Sequence, residues 1–73
     1  MSPKEIGQIL KASRVRAGMS IIDVSKELGV TRQTLYRWET GKDMPRVHMY
    51  FRLVELYDME DAPTIPTEHA QVV

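Results

Sequence analysis

The sequence predicts an all-α fold, a small bundle of four to five short helices followed by an irregular C-terminal tail. Apolar residues recur at three- and four-residue steps through four successive stretches, which is the spacing of one helical face. Gly18, Gly29, Gly41 and Pro45 separate those stretches, and glycine and proline are residues that close and open helices. Charge adds a third observation. Ten Lys and Arg balance ten Asp and Glu over 73 residues, yet every base lies at or before Arg52. Residues 1–52 carry ten bases against five acids, and residues 53–73 carry five acids and no base, so two electrostatic regions share one short chain.

The elements follow in order. Ser2-Pro3-Lys4-Glu5 supplies an N-cap serine, a proline at the first helical position and a Glu three residues after the cap. A helix over 3–17 is expected, with Ile6, Ile9, Leu10, Ser13 and Ala17 on one mostly apolar face and Gly18 after it. Ser20 with Asp23 repeats the capping layout, and Ile21, Val24 and Leu28 form a short stripe that stops at Gly29. Thr31 caps a third helix, in which Leu35 and Trp38 face inward while Arg32, Gln33, Tyr36 and Arg37 face outward, until Gly41. The fourth helix is expected to begin near Pro45, with Val47, Tyr50, Phe51, Leu53, Val54, Leu56 and Tyr57 covering a wide apolar arc. Beyond Asp58, Pro63 and Pro66 allow one helical turn at most, near Ala62. The expected division is therefore a domain over 1–59 and an acidic, Pro-containing tail over 60–73.

Composition narrows the function classes. There is no Cys, which removes disulfides and thiolate ligands and fits a reducing cytoplasm. No apolar run approaches the roughly 20 residues of a membrane span, and the N-terminus lacks the layout of a secretory signal. A soluble intracellular protein is expected. The two histidines, His48 and His69, stand in no constellation with a nucleophile or a metal-ligand set. No enzyme activity, cofactor or metal site is therefore expected, and no small-molecule ligand is evident.

The segment 18–45, GMSIIDVSKELGVTRQTLYRWETGKDMP, resembles the helix-turn-helix of the Cro and phage-repressor family, which includes the xenobiotic-response-element regulators. The resemblance runs over about residues 6–59. Its carriers are Val24, Ser25, Leu28, Gly29, Val30, Leu35, Trp38, Glu39 and Gly41 at fixed offsets. Physical reasons stand beside it: Ser25 is small where two helices cross, and Gly29 admits the positive φ of a sharp turn. The resemblance implies a lambda-repressor-like bundle in which the third helix enters the major groove of double-stranded DNA. By position it implies base reading by Arg32, Gln33, Tyr36 and Arg37, since Arg pairs with two guanine acceptors and Gln with adenine. It implies phosphate contacts from Ser20, Thr31, Thr40, Lys42 and Arg46, and an internal ion pair between Arg14 and Glu39. Lys11, Arg16 and Lys26 read as ordinary solvated charges.

Two departures stand out. Ile21 occupies a position where the family commonly has a phosphate-binding Gln, so it either packs on the core or joins Ile22 in a protein-contact patch. The fifth helix that contributes to dimerisation in many relatives is broken by proline. Met49, Tyr50 and Tyr57 read as core with an alternative use at a subunit interface.

Together these readings lead to a cytoplasmic, prokaryotic or phage-encoded transcriptional regulator. Its expected mode is that of a repressor binding a near-palindromic operator as a homodimer. The competing reading is a protein-interaction module on the same fold, antitoxin-like or a DNA mimic, with Ile21, Ile22 and the acidic end as its surface. Residues 67–73 read as a marginal strand for a partner's edge.

Overall fold

The computed structural model of this chain describes residues 1–60 and 62–63. Among these described residues four helices follow one another: α1 (Pro3–Arg16), α2 (Ile21–Leu28), α3 (Arg32–Glu39) and α4 (Val47–Leu56). The expectation of an all-α bundle holds. The residues of the expected strand at 67–73, and most of the expected tail at 60–73, lie outside the described residues.

Local chemistry starts each helix. In α1, Ser2 Oγ accepts the Glu5 N–H at 3.2 Å while the Ser2 N–H donates to Glu5 Oε1 at 2.9 Å. The same reciprocal box opens α2, with Asp23 N–H donating to Ser20 Oγ at 3.0 Å and Ser20 N–H to Asp23 Oδ2 at 3.1 Å. Thr31 caps α3 by accepting the Thr34 N–H at 3.1 Å. Each cap satisfies backbone donors that the first turn leaves without an intrahelical partner.

The turn between α2 and α3 rests on Gly29, whose φ of 71° is left-handed and whose N–H donates to Ser25 O at 2.9 Å. A side chain there would strain the backbone, so glycine lets the chain turn within the three residues between α2 and α3. Ser25 is buried, as its small size implies, and its hydroxyl donates to Ile22 O at 2.8 Å. With α2 and α3 joined this tightly, α3 packs on both α1 and α2.

The core draws on all four helices. Ile6, Leu10, Val24, Leu28, Leu35, Trp38, Tyr50 and Leu53 are buried, and Tyr57 and Met59 close it from the segment after α4. Fully burying one such side chain is worth about 1.5–3 kcal/mol. Gly7 sets how near α1 lies to the end of α3: a Cβ there would fall 2.5 Å from Trp38 O and 2.6 Å from Glu39 O.

Several expectations need correction. Helix α1 ends at Arg16, and Ala17 is an exposed C-cap residue off the apolar face. Helix α4 begins two residues after Pro45, because Arg46 is extended at φ −66° and ψ 157° while the Pro45 ring is buried. Phe51 lies outside the apolar arc at 59% exposed, since Tyr50 and Leu53 take the inward positions of that turn. Tyr50 and Tyr57 are core residues and are not open to a subunit interface. Beyond α4, Tyr50 Oη donates to Pro63 O and Ala62 packs against the core, so the chain stays docked past residue 59.

Candidate nucleic-acid interface

Helix α3 has two chemically distinct faces. Leu35, Trp38 and Glu39 are buried, while Arg32, Gln33, Tyr36 and Arg37 are exposed. At about 100° per residue, those four side chains span about 140° of arc, a single outward face. Tyr36 is 63% exposed. Where α3 approaches the start of α2, Ser20, Ile21, Ile22, Arg32, Gln33 and Tyr36 line an open depression of about 500 Å³. Ile21 is half-buried and packs against the core, while Ile22 remains exposed beside this depression.

Two helix N-termini border the face. The Ser20 and Thr31 hydroxyls accept from backbone at their caps; Ser20 keeps its own proton as a donor, while Thr31 shares a 2.9 Å hydrogen bond with Thr34 Oγ1 in which either hydroxyl can donate. Lys42 and Arg46 are exposed beyond the far end of α3. Thr40 differs from the other expected phosphate contacts. Its N–H donates to Tyr36 O at 3.0 Å and its hydroxyl donates to the same oxygen at 2.8 Å, so both its donors are spent within the helix. A phosphate oxygen accepts only, which leaves Thr40 nothing to offer in this conformation.

Arg37 is the most constrained residue of the outer face. Its Nε lies 2.6 Å from Asp43 Oδ2, and hydrogen bonding to that carboxylate raises the guanidinium pKa above its ordinary value. Both partners are about half exposed, so the pair is open to solvent and is screened by salt. Nothing in the sequence reading singled out Asp43. The available signal was an acid inside the otherwise basic loop after α3.

Behind this face lies a buried charge pair. Arg14 Nε donates to Glu39 Oε2 at 2.7 Å and Arg14 Nη2 to Glu39 Oε1 at 3.2 Å, while Nη1 donates to Met19 O at 2.9 Å. The hydrogen bond to Glu39 raises the Arg14 pKa against the opposing effect of burial. This fork joins α1 to the end of α3 and to the loop before α2.

Two more arginines are engaged in the fold. Arg52 on α4 donates to Glu27 O at 2.9 Å and Leu28 O at 3.5 Å, closing the C-terminal carbonyls of α2. Arg16 donates to Tyr57 O at 3.4 Å, a long contact that corrects its reading as a purely solvated charge. A carbonyl-capping role leaves no mark in sequence periodicity, because it depends on which helix ends become neighbours.

Two capped helices meeting at Gly29, the second carrying an exposed polar and basic face, define a helix-turn-helix. The chain belongs to the Cro/C1-type helix-turn-helix family, whose model matches residues 10–62. Three relatives carry the words HTH-type transcriptional regulatory protein in their names. One, from Methanococcoides burtonii, is 34% identical over 59 residues, covering 81% of this chain and 18% of the relative. Another, from Pyrobaculum aerophilum, is 35% identical over 51 residues, covering 70% of this chain and 20% of its own length. The third, from Pyrococcus horikoshii, is 36% identical over 52 residues, covering 71% and 16%. The chain thus spans about a fifth or less of the curated relatives it matches. No solved structure gives a significant match. Among the described residues, no helix is long and apolar enough to cross a membrane.

Proposed function

We propose that this chain is a sequence-specific double-stranded DNA-binding transcriptional regulator, acting as a repressor on a near-palindromic operator as a homodimer. The observation that carries the reading is the outward face of α3, where Arg32, Gln33, Tyr36 and Arg37 stand exposed together while the opposite face anchors the helix. Rigid anchoring matters because base readout tolerates little play in the reading helix. Arg32 and Arg37 suit guanine acceptors, Gln33 suits adenine, and Tyr36 suits a thymine methyl or a phosphate. Ser20, Thr31, Lys42 and Arg46 supply phosphate contacts at the two ends of the face. Thr40 drops out of that set. Two-fold symmetry then requires half-site centres about 34 Å, or about 10 bp, apart or a multiple of that.

The exposed Ile22 next to Tyr36 favours a second reading, in which the same face meets a protein partner and specific DNA binding is absent. One titration separates the two. The regulator selects a preferred duplex from a randomised pool, holds it against shuffled competitor, and loses it steeply as salt rises. Arg32→Ala weakens that complex and relaxes choice at one base pair, at a cost of about 1–3 kcal/mol. A folded sample that retards no duplex at low salt would sink the regulator reading and leave the interaction module.

A further inference from the structure

An acid beside a surface meant for a polyanion works against binding, and Asp43 is such an acid. Of the five acids in residues 1–52, Glu5 and Asp23 close capping boxes, Glu39 is buried with Arg14, and Glu27 is exposed on α2 without an ion-pair partner among the described residues. Asp43 differs from these in that its carboxylate meets an outward side chain of α3. Its position is set by backbone. The Lys42 and Asp43 N–H groups both donate to Arg37 O, at 2.9 and 3.2 Å, folding the loop back over the last turn of α3. At Gly41 the chain has a φ of 80°, and a Cβ there would come within 2.6 Å of Lys4 Cα, so the loop is also pressed on the start of α1. Arg37 therefore meets a carboxylate that is already in place.

We propose that Asp43 is a positioning residue that orients the Arg37 guanidinium for reading one base pair, an inference that rests on α3 facing DNA. With Nε bound to Asp43 Oδ2 at 2.6 Å, and with neither Nη partnered among the described residues, the free edge of the fork is the Nη1–Nη2 pair. That edge presents two parallel donors, the arrangement that matches guanine O6 and N7. An unheld arginine must give up its rotamer freedom on binding; one already oriented gives up less. The same free arginine also reaches phosphates at many registers, which adds affinity without choice. Asp43 thus trades general attraction for discrimination.

The test starts from the duplex that the full chain selects from a randomised pool. Its single-base-pair variants and a shuffled duplex are titrated at two salt concentrations with the wild type, Asp43→Asn, Arg37→Ala and Arg37→Lys. Circular dichroism confirms that each variant is folded. The wild type should discriminate about tenfold or more at one base pair that Arg37→Ala no longer distinguishes. Asp43→Asn should lose most of that discrimination at the same pair. It should also bind the shuffled duplex at least as tightly as the wild type, with a steeper salt dependence, because an anion has gone. Arg37→Lys, which keeps the charge without the fork, should retain shuffled-duplex binding but not the choice.

Retention of discrimination by Asp43→Asn at the Arg37-dependent pair, or an increase in it, overturns the inference while leaving DNA recognition standing. A wild type that discriminates among no duplexes overturns both.

Discussion

Glu39 and Tyr57 occupy the same interior and differ in how their polar atoms are satisfied. Glu39 is 8% exposed and shares both carboxylate oxygens with Arg14. Tyr57 is 2% exposed, and its hydroxyl has no protein partner among the described residues. Burial pushes the Tyr57 phenol pKa upward, and the nearby Glu39 charge pushes it further. Removing one member of a buried ion pair strands the other, whereas removing an unpartnered hydroxyl relieves a desolvation cost. Glu39→Ala should therefore lower unfolding free energy by about 3 kcal/mol, the smaller end of the buried-pair range because the Arg14 side chain keeps 12% exposure. Tyr57→Phe should raise it by about 1 kcal/mol. Urea melts at neutral pH read both, and a destabilised Tyr57→Phe would mean that the hydroxyl is satisfied in solution.

Helices α1 and α2 are each fastened at the start by a titratable carboxylate, and that makes their stability depend on pH. Glu5 is lowered from its ordinary 4.5, chiefly by the hydrogen bond from the Ser2 N–H, and Asp23 is lowered from 3.8 by the Ser20 N–H. A depressed folded-state pKa contributes stability that is full above the unfolded value and is lost as pH falls through the folded one. Denaturation midpoints should hold steady above about pH 5 and decline below about pH 4, and the double variant Glu5→Gln with Asp23→Asn should flatten that decline. An unchanged acid limb in the double variant would assign the loss to other carboxylates.

These caps were legible in the sequence because a capping box acts over three residues, as were the inner positions of α2 and α3. The start of α4 was not, since Pro45 suits both a first helical turn and the buried position before one, and core packing chose the latter. Phe51 misled for a related reason: hydrophobicity marks a candidate for burial, while geometry leaves room for only some candidates. At the site, the outward set of α3 followed from helical spacing. The pairing of Arg37 with Asp43 depends on a loop folding back across six residues, which periodicity does not encode.

At the scale of the whole molecule, the ten basic residues do not form one pool of attraction. Arg14 is held by Glu39, Arg16 reaches Tyr57 O, and Arg52 caps the end of α2. Their charges remain, but their donors serve the fold. Arg32, Lys42 and Arg46 are exposed around the outer face of α3 without ion-pair partners among the described residues, and Arg37 shares its charge with Asp43. Counterion release follows phosphates neutralised, at about −0.9 in the log–log salt slope for each. With Arg32 turned to a base, the two cations left for phosphates, Lys42 and Arg46, predict a slope of about −2 for one protomer and about −4 for a symmetric pair on a full operator. Lys42→Ala should make the slope shallower by about 1 per protomer and weaken specific and shuffled duplexes alike. Arg52→Ala should leave the slope unchanged and lower the melting temperature, because it uncaps the carbonyls of Glu27 and Leu28. A slope that shifts with Arg52→Ala as it does with Lys42→Ala would place α4 against the phosphate backbone and remove α3 as the centre of the electrostatic contact.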